Sequence, residues 1–148
     1  MPAGSDAVVS LPHTWRPLGV RLAVVIFGGA LVVVSLAAWW ALPADVRAQF
    51  NLYQEATLVG FGVIGAVIGF ALGRCRVRAD EQHLTVVNGY RTRQYDWPEV
   101  LAVHLPPGAP WATLDLADGT SASAMGIQGS DGERARRAVR ELRALLDR

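Results

Sequence analysis

Between Leu22 and Leu42 the chain has one polar side chain, Ser35. A helix rises about 1.5 Å per residue, so this stretch is long enough to cross a hydrocarbon layer about 30 Å thick. A second run, Ala56 to Gly73 (ATLVGFGVIGAVIGFALG), carries no charge. Backbone polar groups in lipid must be satisfied within the segment, so both runs are expected as helices. Two spans, about 22–42 and 56–73, joined by a short connection predict a transmembrane helical hairpin over 20–73. A cleaved signal peptide fits the first run poorly. Its apolar core is too long, no A-x-A site follows, and a second apolar run comes soon after. Residues 1–19 hold Pro, Gly and small residues without a sustained period and are expected to form a flexible cytoplasmic tail.

Orientation follows from the arginines, which supply all fourteen basic residues of the chain. Basic residues near span ends are retained on the cytoplasmic side. Arg16 and Arg21 precede the first run, Arg74, Arg76 and Arg78 follow the second, and the loop between holds Arg47 with Asp45 and Glu55. Both termini are therefore expected in the cytoplasm of a multi-pass plasma (inner) membrane protein. Trp39, Trp40 and Tyr53 are expected at the outer interface. Neither span holds an ionisable residue, which argues against an ion or proton path. Gly65, Gly69 and Gly73 recur every four residues on one helical face. Such a stripe allows close helix approach in lipid, either inside the hairpin or against another membrane protein.

After Gly73 the pattern changes to short alternating segments broken by turn signals, the mark of an antiparallel sheet. Six strands are expected near 75–79, 83–87, 90–95, 99–105, 111–117 and 120–125. In the second hairpin a two-residue Asn88-Gly89 turn would set Val86 opposite Arg91 and Leu84 opposite Arg93. A three-residue loop, Val87-Asn88-Gly89, pairs Val86 with Tyr90 and Leu84 with Thr92 instead and is the expected register. It turns Arg91 and Arg93 outward beside His83 and Thr85. Similar parity puts Leu101, Val103 and Leu105 inside and His104 outside. Trp97 is large enough to plug one end of a small barrel. Cys75, the one cysteine, rules out an intrachain disulfide.

One helix closes the chain. Ser130 and Glu133 fit an S-x-x-E capping box. Ala135, Ala138, Val139, Leu142, Leu145 and Leu146 form an apolar stripe that must cover a sheet. Arg134, Arg136, Arg137, Arg140 and Arg143 occupy the other face, interleaved with acidic residues, and read as solvated rather than as a nucleic-acid grip.

A hairpin followed by RVRADEQHLTVVNGYRTRQYDWPEVLAVHL, WATLDLADGT and a terminal helix resembles the bacterial pleckstrin-homology (PH)-like domain proteins. It is most similar to the low molecular weight protein antigen 6 family. The motifs carrying the likeness are Asp80-Glu81 before the Leu84 strand, Trp97 followed by Val100, and Leu116 to Gly119 (LADG). A glycine would be expected where His83 stands. The resemblance implies a membrane-anchored α+β chain whose residues 74–148 form a PH-like antiparallel β-sheet or partial barrel, strongly bent and capped by the C-terminal helix. Six strands fall short of a seven-stranded barrel and leave a truncated version as an alternative.

No catalytic constellation is visible. His13, His83 and His104 lack metal-ligand spacing, and no nucleophile elbow or phosphate-binding glycine loop is present. The chain reads as non-enzymatic and calls for no metal or cofactor. Arg74, Arg76 and Arg78 alternate, and in an extended segment they share one face. They either fix topology alone or form, with Arg91 and Arg93, a basic edge toward anionic lipid, each residue worth roughly 1 kcal/mol near such a surface. The leading expectation is an adaptor that binds an envelope or membrane protein at the cytoplasmic face, through an open sheet edge. The alternatives are a peripheral sensor of anionic lipid headgroups and a small accessory subunit held in a larger complex by the glycine stripe.

Overall fold

A computed structural model of the chain describes residues 9–148. It divides into two units: Val20–Gly73, and the residues up to Gly19 taken together with Arg74–Arg148.

The helical unit consists of α1 (Leu18–Ala41), α2 (Ala44–Arg47) and α3 (Leu52–Arg74). Both long helices exceed their apolar runs. The start of α3 is set by a reciprocal pair: the Gln54 N–H donates to the Asn51 side-chain oxygen, and the Asn51 N–H donates to that of Gln54, each at 3.0 Å. Two otherwise orphaned donors are thereby satisfied. In the connection, Trp39 and Phe50 meet edge to face, and the Arg47 guanidinium lies 5.6 Å from the Trp40 ring centre. Neither α1 nor α3 buries a residue, and both are long and apolar enough to cross a membrane.

The β-unit holds two antiparallel sheets. One has the order β1 (His13–Trp15), β2 (Arg76–Ala79), β3 (His83–Asn88), β4 (Arg91–Asp96). The other runs β5 (Val100–His104), β6 (Trp111–Leu116), β7 (Ser121–Gln128). The helix α4 (Glu133–Leu146) follows. Its expected stripe packs as the pattern requires: Ala135, Ala138, Val139, Leu142 and Leu145 are buried with the inward faces of both sheets, and Leu146 is partly buried against them. Trp97 also packs on this core, and its indole N–H donates to the Asp80 carbonyl at 3.1 Å.

The tail expected over 1–19 is, from Val9 onward, part of the β-unit. Thr14 pairs with Arg78 and Trp15 with Val77, and Trp15 and Val9 are buried in the core. The described residues therefore form seven strands rather than six, and the truncated-barrel alternative falls. In the order of the chain, both long helices thus fall between two strands that neighbour each other in one sheet. No local pattern announces a three-residue strand whose partner comes after both of them.

The β3–β4 register matches neither hairpin weighed from the sequence. Asn88 pairs with Arg91, Val86 with Arg93 and Leu84 with Tyr95. The turn residues are Gly89 and Tyr90, with φ of 60° at Gly89 and no positive φ at Tyr90. Glycine first in a two-residue loop is the type II′ arrangement, whose twist suits a hairpin. Cross-strand partners share a face, so Arg91 and Arg93 lie on the side of Leu84 and Val86, not beside Thr85. That side tolerates them because β4 is an edge strand on which Tyr95 alone is buried.

In β5 a bulge between Val100 and Ala102 shifts the register. One added residue reverses parity, leaving Leu101 63% exposed while Val100 and Val103 are buried. The expected S-x-x-E box does not form. Gly132, with φ 57°, caps α4, and Glu133 turns along the helix to pair with Arg136 and Arg140.

Between β2 and β3, where a glycine was expected at His83, the Asp80 carboxylate closes the turn. It accepts from the His83 N–H at 2.7 Å and the Gln82 N–H at 3.0 Å. No residue there needs a positive φ, so histidine fits. The His83 N–H bond first, then that of Gln82, holds the Asp80 carboxyl below its ordinary value of 3.8. A depressed folded-state value stabilises the fold above the unfolded value, and this contribution disappears as pH falls through the folded one. Asp80→Asn, which keeps an acceptor but cannot ionise, is expected to be less stable than wild type by a constant margin above about pH 5. The margin should vanish on acidification below the folded value. Paired thermal melts across pH 2–7 check this, and a margin that does not narrow in acid would refute it.

Candidate functional site

The two sheets treat their outer edges differently. On β5, α4 packs across the strand, and the Arg143 guanidinium donates twice to the Val103 carbonyl, at 3.0 and 2.9 Å. That acceptor is satisfied by a side chain where no strand lies. On β4 the sheet ends. The strand pairs with β3 along one side, no further strand follows among the described residues, and Arg91, Thr92, Arg93 and Gln94 are all exposed. A regular edge of this kind presents a row of backbone donors and acceptors to any other extended segment. Its two arginines discourage indiscriminate pairing.

The conformation of this edge depends on its anchoring. Leu84 opposite Tyr95 holds one end in the core. At the other end the Asn88 side chain spans to β7, accepting from the Met125 N–H at 3.0 Å and donating to the Ser123 carbonyl at 2.6 Å. This amide supplies ladder-like bonds where the sheets diverge, so the β3–β4 hairpin is tied down close to its tip.

The five arginines expected to form one basic edge are not brought together on one face. Arg74 is the last residue of α3, not part of an extended segment, and its guanidinium lies 5.8 Å from the Tyr90 ring centre. Arg76 and Arg78 share a face with Val87 and Thr85, opposite the face that carries Arg91 and Arg93. What does cluster at the β3–β4 tip is Arg74 with Tyr90, which is 57% exposed. Of the glycine stripe, Gly69 meets the other helix: a Cβ there would lie 3.1 Å from a methyl group of Val24. Positions 65 and 73 open into free space.

Sequence reasoning missed β1 and with it the surface that β1 forms against α4. It assigned Arg16 to topology and Arg134 and Arg137 to a solvated face. The available signal was Trp15, a large aromatic side chain in a segment expected to stay solvated.

The bacterial PH domain family matches residues 74–145. That match begins at the last residue of α3, so β1 lies outside it. Uncharacterized proteins of Mycobacterium bovis and of two strains of Mycobacterium tuberculosis are 34% identical to the chain over 144 residues, covering 95% of it and 89% of each relative. No solved structure matches.

Proposed function

Residues 74–145 belong to the bacterial PH domain family, and from that premise we propose a non-enzymatic, membrane-anchored adaptor. It binds an envelope or membrane protein at the cytoplasmic face by accepting a partner strand on β4. The observation that carries this reading is the β4 edge: a regular six-residue strand, exposed along Arg91–Gln94 and anchored at both ends. Strand addition draws affinity from main-chain hydrogen bonds, and the alternate side chains supply selectivity. The narrower grouping with the low molecular weight protein antigen 6 family is part of the same proposal. It rests on the motifs Asp80-Glu81, Trp97 to Val100 and Leu116 to Gly119.

The anchoring rests on two arguments. Both long helices are apolar on every side and buried on none. The antiparallel pairing of Trp15 with Val77 brings the two ends of the intervening segment back to one sheet, which favours an even number of membrane crossings. Arg16, Arg21, Arg74, Arg76 and Arg78 at those ends favour the cytoplasmic side.

One observation favours a second role, sensing of anionic lipid. At the hairpin tip the exposed Tyr90 ring lies beside Arg74, a pairing of aromatic and cation suited to a headgroup layer.

One experiment separates the two. A photo-crosslinking amino acid is placed at Thr92 on the edge, at Tyr90 on the tip and at Thr120 in the β6–β7 turn, in the full chain in native membranes. The adaptor role predicts a discrete protein adduct from position 92 and none from 120. Lipid adducts from position 90, with no protein adduct from 92, would replace it by the second role.

A further inference from the structure

A cleft of about 300 Å³ lies between β1 and α4. Trp15 stands on one wall, its indole N–H donating to Glu141 at 2.8 Å, and the His13 ring packs against Trp15 at 4.7 Å between centres. Arg16, Arg134 and Arg137 line the same cleft.

Its charges are unevenly matched. The two carboxylates in the lining are already engaged. Asp131 accepts the N–H groups of Leu18 and Gly19, at 2.9 and 2.8 Å, which start α1. Glu141 takes the Trp15 N–H, and His13 lies 3.9 Å away. Of the five arginines of α4, Arg143 is bound to the Val103 carbonyl, and the other four divide into two sets. Arg136 and Arg140 are neutralised by Glu133 at 3.0 and 2.7 Å. Arg134 and Arg137, three residues apart and so on one helix face, line the cleft with no ion pair to any of the described residues, and the same holds for Arg16.

Three arginines, Arg16 just after β1 and Arg134 and Arg137 on α4, thus line one concavity whose acids are occupied. Guanidinium forks match phosphate oxygens bidentately, and such charge-assisted bonds are stronger than neutral ones. The volume suits a small molecule or a headgroup rather than a folded partner. We propose that the cleft between β1 and α4 binds a phosphate-bearing anion of headgroup size, with Arg16, Arg134 and Arg137 holding the phosphate and Trp15 forming the wall. This site is separate from the β4 edge, and its loss leaves the partner-strand reading untouched.

The test uses the full chain with two kinds of probe. Glycerol 3-phosphate and inorganic phosphate are titrated calorimetrically into detergent-solubilised protein. Separately, retention of phosphatidylglycerol from mixed nanodiscs is read by native mass spectrometry against phosphatidylcholine alone. Binding in the soluble arm alone identifies a free phosphorylated ligand, and selective retention in the lipid arm alone identifies a headgroup; either supports the site. Arg134→Gln with Arg137→Gln is expected to weaken binding roughly tenfold or more, the loss of one to two charged hydrogen bonds. Arg136→Gln with Arg140→Gln, which alters the self-paired set, is expected to change it by less than about twofold. Arg16→Gln, on the other wall, provides an independent variant should the helix pair disturb folding. Absence of binding in both arms, or equal losses in the two helix pairs together with no effect at Arg16, would overturn the assignment.

Discussion

Replacing Trp15 by alanine is expected to destabilise the β-unit by about 3–5 kcal/mol, the range for truncating a large buried aromatic residue. Trp15 is 7% exposed and lies in the core cluster. It pairs with Val77 across β1 and β2, and its N–H reaches Glu141 on α4, so one side chain joins a sheet edge to the covering helix. Trp15→Phe separates the contributions: it keeps most of the apolar volume and removes the donor, with an expected loss of about 1 kcal/mol. Thermal unfolding of the full chain in detergent, followed by circular dichroism, reads both. The alanine variant should melt roughly 12 °C or more below wild type, and the phenylalanine variant about 4–8 °C below it. A solvated tail would predict no change in either. A shift of under about 3 °C for Trp15→Ala would mean that β1 does not hold this sheet.

Gly126→Ala is expected to cost about 3 kcal/mol or more, at the upper end of what overpacking does. A Cβ at this position would stand 2.5 Å from the Cα and carbonyl carbon of Arg76 and 2.6 Å from the Val77 nitrogen. These are backbone atoms, so no rotamer change can give way; β7 and β2 would have to separate. The site has structural leverage because β7 leaves its register with β6 here, Ala112 pairing with Ala124 and Trp111 with Gln128. In that excursion β7 crosses the first sheet, and Asn88 reaches Ser123 and Met125. Spreading the strands would break those two bonds as well. Gly65→Ala, at a helical position with open space around it, serves as the control and should be neutral or slightly favourable. The same melts compare the two, and a Gly126→Ala protein within about 0.5 kcal/mol of wild type would show that the sheets do not meet at this point.

The elements legible in the sequence were those whose signal is carried by near neighbours. Apolar continuity marked both long helices. The 3.6-residue period placed the buried stripe of α4, and two-residue alternation placed β6 and most of β7. At the candidate site, an open sheet edge was expected only as the gap of an incomplete barrel and not placed on β4, and the side chains of β4 were assigned to the wrong face. Parity along β4 depends on whether the loop holds three residues, Val87-Asn88-Gly89, or two, Gly89-Tyr90. Local turn chemistry admits both, and the choice comes from how Tyr95 and Asn88 anchor the strand to the rest of the fold. Leu101 shows the same limit, since the bulge beside it exists only in relation to β6.

By itself, then, the amino-acid order determined the helices, most strands and the covering face of the last helix, because each follows from residues a few positions apart. Tertiary structure alone decided that His13–Trp15 is a strand, that Arg91 and Arg93 share the side of Leu84, and that Arg16 comes to line a cleft with Arg134 and Arg137. The side taken by the arginines follows from how the β3–β4 hairpin is anchored at Tyr95 and Asn88. The other two outcomes depend on segments that both long helices separate in sequence. Their favourable energy exists only once β1 has found β2, and no window along the chain contains both.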